Sequence, residues 1–103
     1  VKVYISGPIT GHADFREKFA AAEDALKQSG FIPVSPVRDD DGTKPWAHYM
    51  KLALKDMLDC DAIVLLPGWE RSQGAAIEAF VAARCELEFL PYQDVVVPYL
   101  EVK

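Results

Sequence analysis

Ser72, Gly74 and Glu78 fall within one short stretch, SQGAAIE. A serine and a glycine before an alanine-rich run suit the opening of a helix, where unpaired backbone N–H groups attract an anion. Glu78 lies about one helical turn further on, so a carboxylate stands beside an anion cradle. That pairing suits a ligand that carries both a phosphate and a reactive carbon. The residues just before point the same way. Ala62 to Leu66 is an apolar run bounded by Asp61 and by Pro67-Gly68, the pattern of a central strand covered on both faces. The loop after it therefore joins the carboxyl end of a parallel strand to a helix amino terminus, where α/β proteins place ligands. A second glycine-bearing loop, Gly7-Pro8-Ile9-Thr10-Gly11, follows the first strand. It fits either a tight βα turn or a second backbone cradle.

The elements that must position these residues follow in order. Lys2 to Ser6, with Val3, Tyr4 and Ile5, predicts the first strand. Asp14 is a candidate N-cap for an amphipathic helix over Phe15 to Ser29, with Phe15, Phe19, Ala22 and Leu26 at helical spacing and Gly30 as its stop. Phe31 to Val34 predicts a second strand, and RDDDGTK from Arg38 to Lys44 a polar loop turning at Asp41-Gly42. Its run of aspartates has no matching ligand set nearby, so a solvated loop is expected rather than a metal site. Pro45 opens a helix that continues to Leu58, with Leu54 and Met57 aimed at the core. Gly74 to Arg84 is the next helix. Leu87 to Leu90 and Val95 to Val97 are each expected as strands, stopped by Pro91 and Pro98. Strands alternating with helices over short connections predict a small doubly wound, Rossmann- or flavodoxin-like parallel sheet of four to five strands, in a single domain over residues 1–103.

Composition narrows the classes. The 103 residues are half apolar and carry a net charge of −5, which argues against broad neutralisation of a nucleic-acid polymer but leaves room for one nucleotide. No apolar run approaches the roughly 20 residues of a membrane span. Cys60 and Cys85 are too few for a disulfide framework or a zinc site, so a reduced cytoplasmic setting is expected. The first residues have the pattern of a strand rather than a charged-then-apolar leader. The sequence opens on Val1 and not on methionine, so processing is expected to have removed what preceded it.

Three segments together resemble the nucleoside 2-deoxyribosyltransferase superfamily: YISGPITG at Tyr4 to Gly11, CDAIVLLPGWE at Cys60 to Glu70, and SQGAAIE at Ser72 to Glu78. The run LPGWE-x-S-x-G-A-x-x-E is closer still to small, often phage- or prophage-encoded relatives. The resemblance spans Lys2 to about Arg84. It implies a compact α/β fold that cleaves or transfers at the N-glycosidic bond of a deoxynucleoside or nucleoside 5′-monophosphate. Glu78 then matches the nucleophile, which attacks the anomeric carbon and forms a glycosyl-enzyme intermediate. Tyr4 matches the tyrosine that holds it, and Ser72 the serine that contacts the 5′-phosphate. Gly7, Pro8, Ile9, Thr10 and Gly11 match the other phosphate-side loop. Gly74 would complete the cradle, and Trp69 would stack on a base or anchor the loop. The resemblance implies no metal or organic cofactor, and it implies a homodimer or higher oligomer. Phe89, Leu90, Tyr92, Tyr99 and Leu100 are candidates for such an interface or for a local core cover.

One departure stands out. The superfamily usually carries an aspartate, on the helix before the central strand, that touches the sugar and assists the leaving group; the matching residue here is Ala53. Asp56 lies roughly 60° further around that helix and is the first candidate for the missing acid, with Asp61 and Glu70 behind it. Plainer readings also stand. Glu78 would suit the helix dipole, Ser72 would suit an N-cap, and Tyr4 would suit strand packing. Two functions therefore remain open: a glycosidase or transferase, with hydrolysis favoured by so short a chain, and a nucleotide-binding or sensing module that kept the cradle and lost the chemistry. A phosphoribohydrolase-type loop, PGG-x-GT-x-x-E, is matched only by Pro67-Gly68 and Glu78.

Overall fold

In the computed structural model, which describes residues 1–101, one parallel sheet carries helices on both faces. The strands are β1 (Lys2–Ser6), β2 (Ile32–Val34), β3 (Ala62–Leu65) and β4 (Glu88–Leu90), and the helices are α1 (Phe15–Gln28), α2 (Trp46–Leu58), α3 (Gln73–Arg84), α4 (Tyr92–Val95) and α5 (Val97–Glu101). The sheet order is β2-β1-β3-β4, and every pairing is parallel. The chain leaves β1 toward one edge and returns to β3 on its other side. The carboxyl ends of β1 and β3 thus flank the switch point at which open α/β sheets bind ligands.

Strand alternation sends successive side chains to opposite faces, and β1 shows the consequence. Val3 and Ile5 join Ala62 and Val64 against Phe19, Ala22, Ala25 and Leu26 of α1. Tyr4 points the other way, into a smaller cluster with Ala53 and Met57 of α2, Cys60, Ile63 and Ala82 of α3. Met57 is the buried residue of the α2 stripe, while Leu54 is only half-buried at its flank. Helix α1 ends as its sequence indicates, with Gly30 at a φ of 87°, a left-handed stop that costs glycine nothing. Asp14 occupies the N-cap position but makes no capping hydrogen bond; its carboxylate pairs with Lys18 instead, at 3.4 Å.

The expected strand at Val95 to Val97 does not form. Tyr92–Val95 and Val97–Glu101 are helical, and Val96, 1% exposed, plugs the α1 side of the core. The valines gave a β signal, but β propensity is mostly a preference for half-buried packing, and here that packing is met from a helical turn. Pro91 provides the N-cap, and Pro98 sits in the first turn of α5, where no N–H is needed. Leu90, Tyr92 and Tyr99 also cover this core, leaving Phe89 and Leu100 partly exposed. Among the described residues no helix is long and apolar enough to cross a membrane. Cys60 and Cys85 are free thiols, the first buried and the second exposed.

Two close approaches bring the loops beyond β1 and β3 together. Ser6 O accepts from Leu66 N at 2.8 Å, carrying the pairing one step past β3. A Cβ at Gly7 would lie 2.8 Å from the Leu66 Cβ, a distance that only the absence of a side chain relieves. Gly68, at a φ of 89°, bends the β3 loop back until its Cβ position is 3.3 Å from Pro8 Cγ. Gly7→Ala should therefore destabilise the fold by about 1–3 kcal/mol, the usual cost of overpacking a filled core, read as a lower urea midpoint at unchanged slope.

Candidate active site

Glu78 sits in the second turn of α3, only 5% exposed. Its carboxylate is held at both oxygens: Tyr4 Oη donates to Oε2 at 2.8 Å and Ser6 Oγ donates to Oε1 at 2.7 Å. Both donors belong to β1 and are completely buried. They reach the same carboxylate because they are two residues apart on one strand and so share a face. Tyr4 is the residue the resemblance singles out. Ser6 was not anticipated, although the period of two would have found it once Tyr4 was aimed at Glu78.

Burial pushes the Glu78 carboxyl above its ordinary value, and the hydrogen bonds from Ser6 and Tyr4 pull partly against that. The Tyr4 phenol is pushed strongly upward, first by burial and then by the neighbouring Glu78 charge. Tyr4 therefore remains a neutral hydroxyl and the donor of its bond. Among the described residues no buried side-chain N or O lacks a partner.

Glu78 forms part of the wall of a cleft of about 620 Å³, a size ordinary for a small-molecule site. The β1–α1 loop contributes Gly7, Pro8, Ile9 and Thr10, and the α3 amino terminus contributes Arg71 to Ala75. Facing them are Trp46, Tyr49, Met50 and Ala53 of α2, with Asp40 and Asp41 of the β2–α2 loop. Ser72 is the N-cap of α3, its Oγ accepting from Ala75 N at 3.3 Å. Accepting that bond leaves the hydroxyl its own donor capacity. Gly74 lets α2 approach: its Cβ position lies 3.3 Å from Met50 Sδ and 3.8 Å from Trp46 Cζ2.

Five of the anticipated residues are placed differently from the rest. Gly11 and Trp69 do not line the cleft; Trp69 opens a short 3-10 turn over Trp69–Arg71. Asp56 is also outside the lining, its Oδ2 accepting from Arg38 at 2.6 Å. Asp61 stands at the opposite, amino end of the strands, where Lys2 N donates to its Oδ2 at 3.0 Å. Glu70 is exposed. Three arginines at the cleft, Arg16, Arg38 and Arg71, were missed, because single arginines in loops carry no periodic signal. Among the described residues no group of three or more His, Cys, Asp or Glu is placed to hold a metal ion.

The raised Glu78 value makes a prediction with a definite sign. The neutral acid is favoured by the fold, so the stability it contributes is complete below the unfolded value, near the ordinary 4.5, and is lost as pH rises through the higher folded value. Glu78→Gln keeps the shape without the charge. In thermal melts from about pH 4 to pH 8, its melting temperature should rise relative to the parent chain as pH increases. A difference that stays flat, or falls, would contradict the burial argument.

No protein of curated function matches the sequence. A solved structure of the 2-deoxyribosyltransferase from the psychrotolerant bacterium Bacillus psychrosaccharolyticus, an enzyme described as a biocatalyst for nucleoside synthesis, superposes with a TM-score of 0.68. The two are 15% identical over 88% of this chain and 71% of that one. At that identity the likeness is one of fold, and it is the fold of the superfamily whose motifs this sequence resembles. The family described as Domain of unknown function (DUF4406) matches residues 1–90, which take in all four strands and every residue lining the cleft; the chain belongs to that family.

Proposed function

We propose that this protein cleaves or transfers at the N-glycosidic bond of a (deoxy)nucleoside 5′-monophosphate, with Glu78 as nucleophile. The observation that carries the reading is the buried carboxylate gripped at both oxygens beside a helix amino terminus. Two hydroxyl donors fix its orientation, and each oxygen keeps a further lone pair. An oriented carboxylate is the group that stabilises an oxocarbenium-like centre and captures it as an ester. Ser72, Gly74 and the Gly7–Thr10 loop would receive the phosphate, which places the anomeric carbon toward Glu78. The fold likeness to a 2-deoxyribosyltransferase supports the same reaction class.

A second reading has its own support: a nucleotide-binding module without turnover. Ala53 offers a methyl group to the cleft, and the Asp56 carboxylate is taken up by Arg38. The assay that separates the two is base release from ribo- and deoxynucleoside 5′-monophosphates, followed by chromatography, with binding measured calorimetrically on the same set. Glu78→Ala should reduce release by about 10³-fold or more, as expected for loss of a nucleophile, while nucleotide binding persists. Tight binding with no release from the parent chain would favour the binding module. Absence of both would refute either reading.

Self-association belongs to the same proposal. Trp46 is 45% exposed on α2, and Ile77 and Phe80, on neighbouring turns of α3, are 37% and 67% exposed. Trp46 also borders the cleft, so a second copy seated on this face would wall its mouth. Phe80→Glu should shift the mass seen by light scattering toward the monomer.

A further inference from the structure

We propose, building on the glycosidic-cleavage reading, that the substrate's base is already a cation before cleavage: a pyridinium or an N7-alkylated purine on a ribose or deoxyribose 5′-phosphate. Expelling a neutral base from the anomeric carbon leaves an anion unless a proton arrives with it, and a placed acid is worth about 10²–10⁴-fold. The cleft holds no such acid on the α2 side. Ala53, 6% exposed and packed beside Tyr4, presents only a methyl group. The Asp56 carboxylate is bound by Arg38 at 2.6 Å. Asp41 is held below the usual carboxylate range by hydrogen bonds from Thr43, so it carries no proton at neutral pH. The Tyr49 phenol is pushed upward by partial burial. His12 is exposed in the β1–α1 loop, on the side of Gly7 to Thr10.

A cationic base needs no proton. A Glu78 oxygen bonds to the anomeric carbon, the carbon–nitrogen bond breaks, and its electron pair neutralises the ring nitrogen, so the base leaves as a neutral molecule. Water then attacks the same carbon, the carboxylate departs, and one proton passes to solvent. The sum is nucleotide and water to neutral base, sugar phosphate and a proton.

The distribution of charge in the cleft fits this ligand. One wall carries Trp46 and Tyr49, with Asp40 and Asp41 close in sequence. Aromatic faces and carboxylates together suit a flat cation. The other wall carries Thr10, Arg71 and Ser72. Arg16 and Arg38 are matched by Asp39 at 3.5 Å and Asp56 at 2.6 Å, whereas Arg71 makes no salt bridge among the described residues. A nucleotide with a positive base and a negative phosphate would find both ends complemented.

The test uses the full chain with nicotinamide mononucleotide and N7-methylguanosine 5′-monophosphate against guanosine and adenosine 5′-monophosphates. We expect kcat/KM for one or both cationic bases to exceed that for the neutral ones by at least about 10²-fold, and to vanish in Glu78→Ala. Cationic bases are intrinsically labile, so a second readout is needed. Calorimetry should show nicotinamide mononucleotide binding tighter than its uncharged dihydro form, a preference that Asp40→Asn with Asp41→Asn removes. Neutral nucleotides cleaved as fast as cationic ones, or bound without regard to base charge, would overturn this inference and leave the glycosidic reading standing. Loss of neutral-base cleavage in His12→Asn, with that cleavage fast in the parent, would overturn it by revealing an acid. Release from no nucleotide would remove both readings.

Discussion

The short hydrogen bonds from Tyr4 and Ser6 to Glu78 tie the first strand to the proposed nucleophile. A carboxylate this far from solvent is costly unless its lone pairs are met. Here they are met by the first strand, which is also the centre of the sheet. Helix α3 cannot rotate or slide against β1 without leaving a buried acid unpaired. The same contacts aim the acid at the cleft. Replacing such a buried polar set by apolar groups of the same shape is often neutral or stabilising, so packing alone does not call for the arrangement.

The cleft also depends on the small residues around it. Gly7 admits Leu66, Gly68 turns the β3 loop back onto Pro8, and Gly74 lets Met50 and Trp46 close on the start of α3. These three glycines play different parts: two give room, and one supplies a left-handed turn as well. A side chain at any of the three would meet its neighbour at 3.3 Å or less.

Much of this was legible in the sequence because it rests on periodicity and punctuation. The period of two in β1, the helical stripe of α1, and the Pro-Gly stop after β3 each name an element and its inward face. Motif order singled out Glu78, Ser72 and Tyr4 as candidates, and Ser72 is an N-cap that also borders the cleft. What escaped depends on contacts distant in the chain. Ser6 becomes informative only when paired with a residue of α3, seventy-two positions away. Asp56 looked available from its helical angle, but Arg38, from the loop before α2, takes it. The last valines mimicked a strand because branched side chains fit any tight apolar site; whether that site belongs to a sheet is decided by tertiary packing.

The edges of the sheet carry a consequence of their own. β2 and β4 are each only three residues long, and they form the two edges of the sheet among the described residues. In β2 the middle residue is Pro33, which has no N–H to offer, although neighbouring Ile32 is 58% exposed. In β4 the exposed Glu88 opens the strand and Pro91 follows directly after it. Brevity, a missing donor and a charge are the devices by which natural sheets refuse a foreign strand. Both sheet edges of this molecule thus carry features that disfavour fibril-like growth by strand addition.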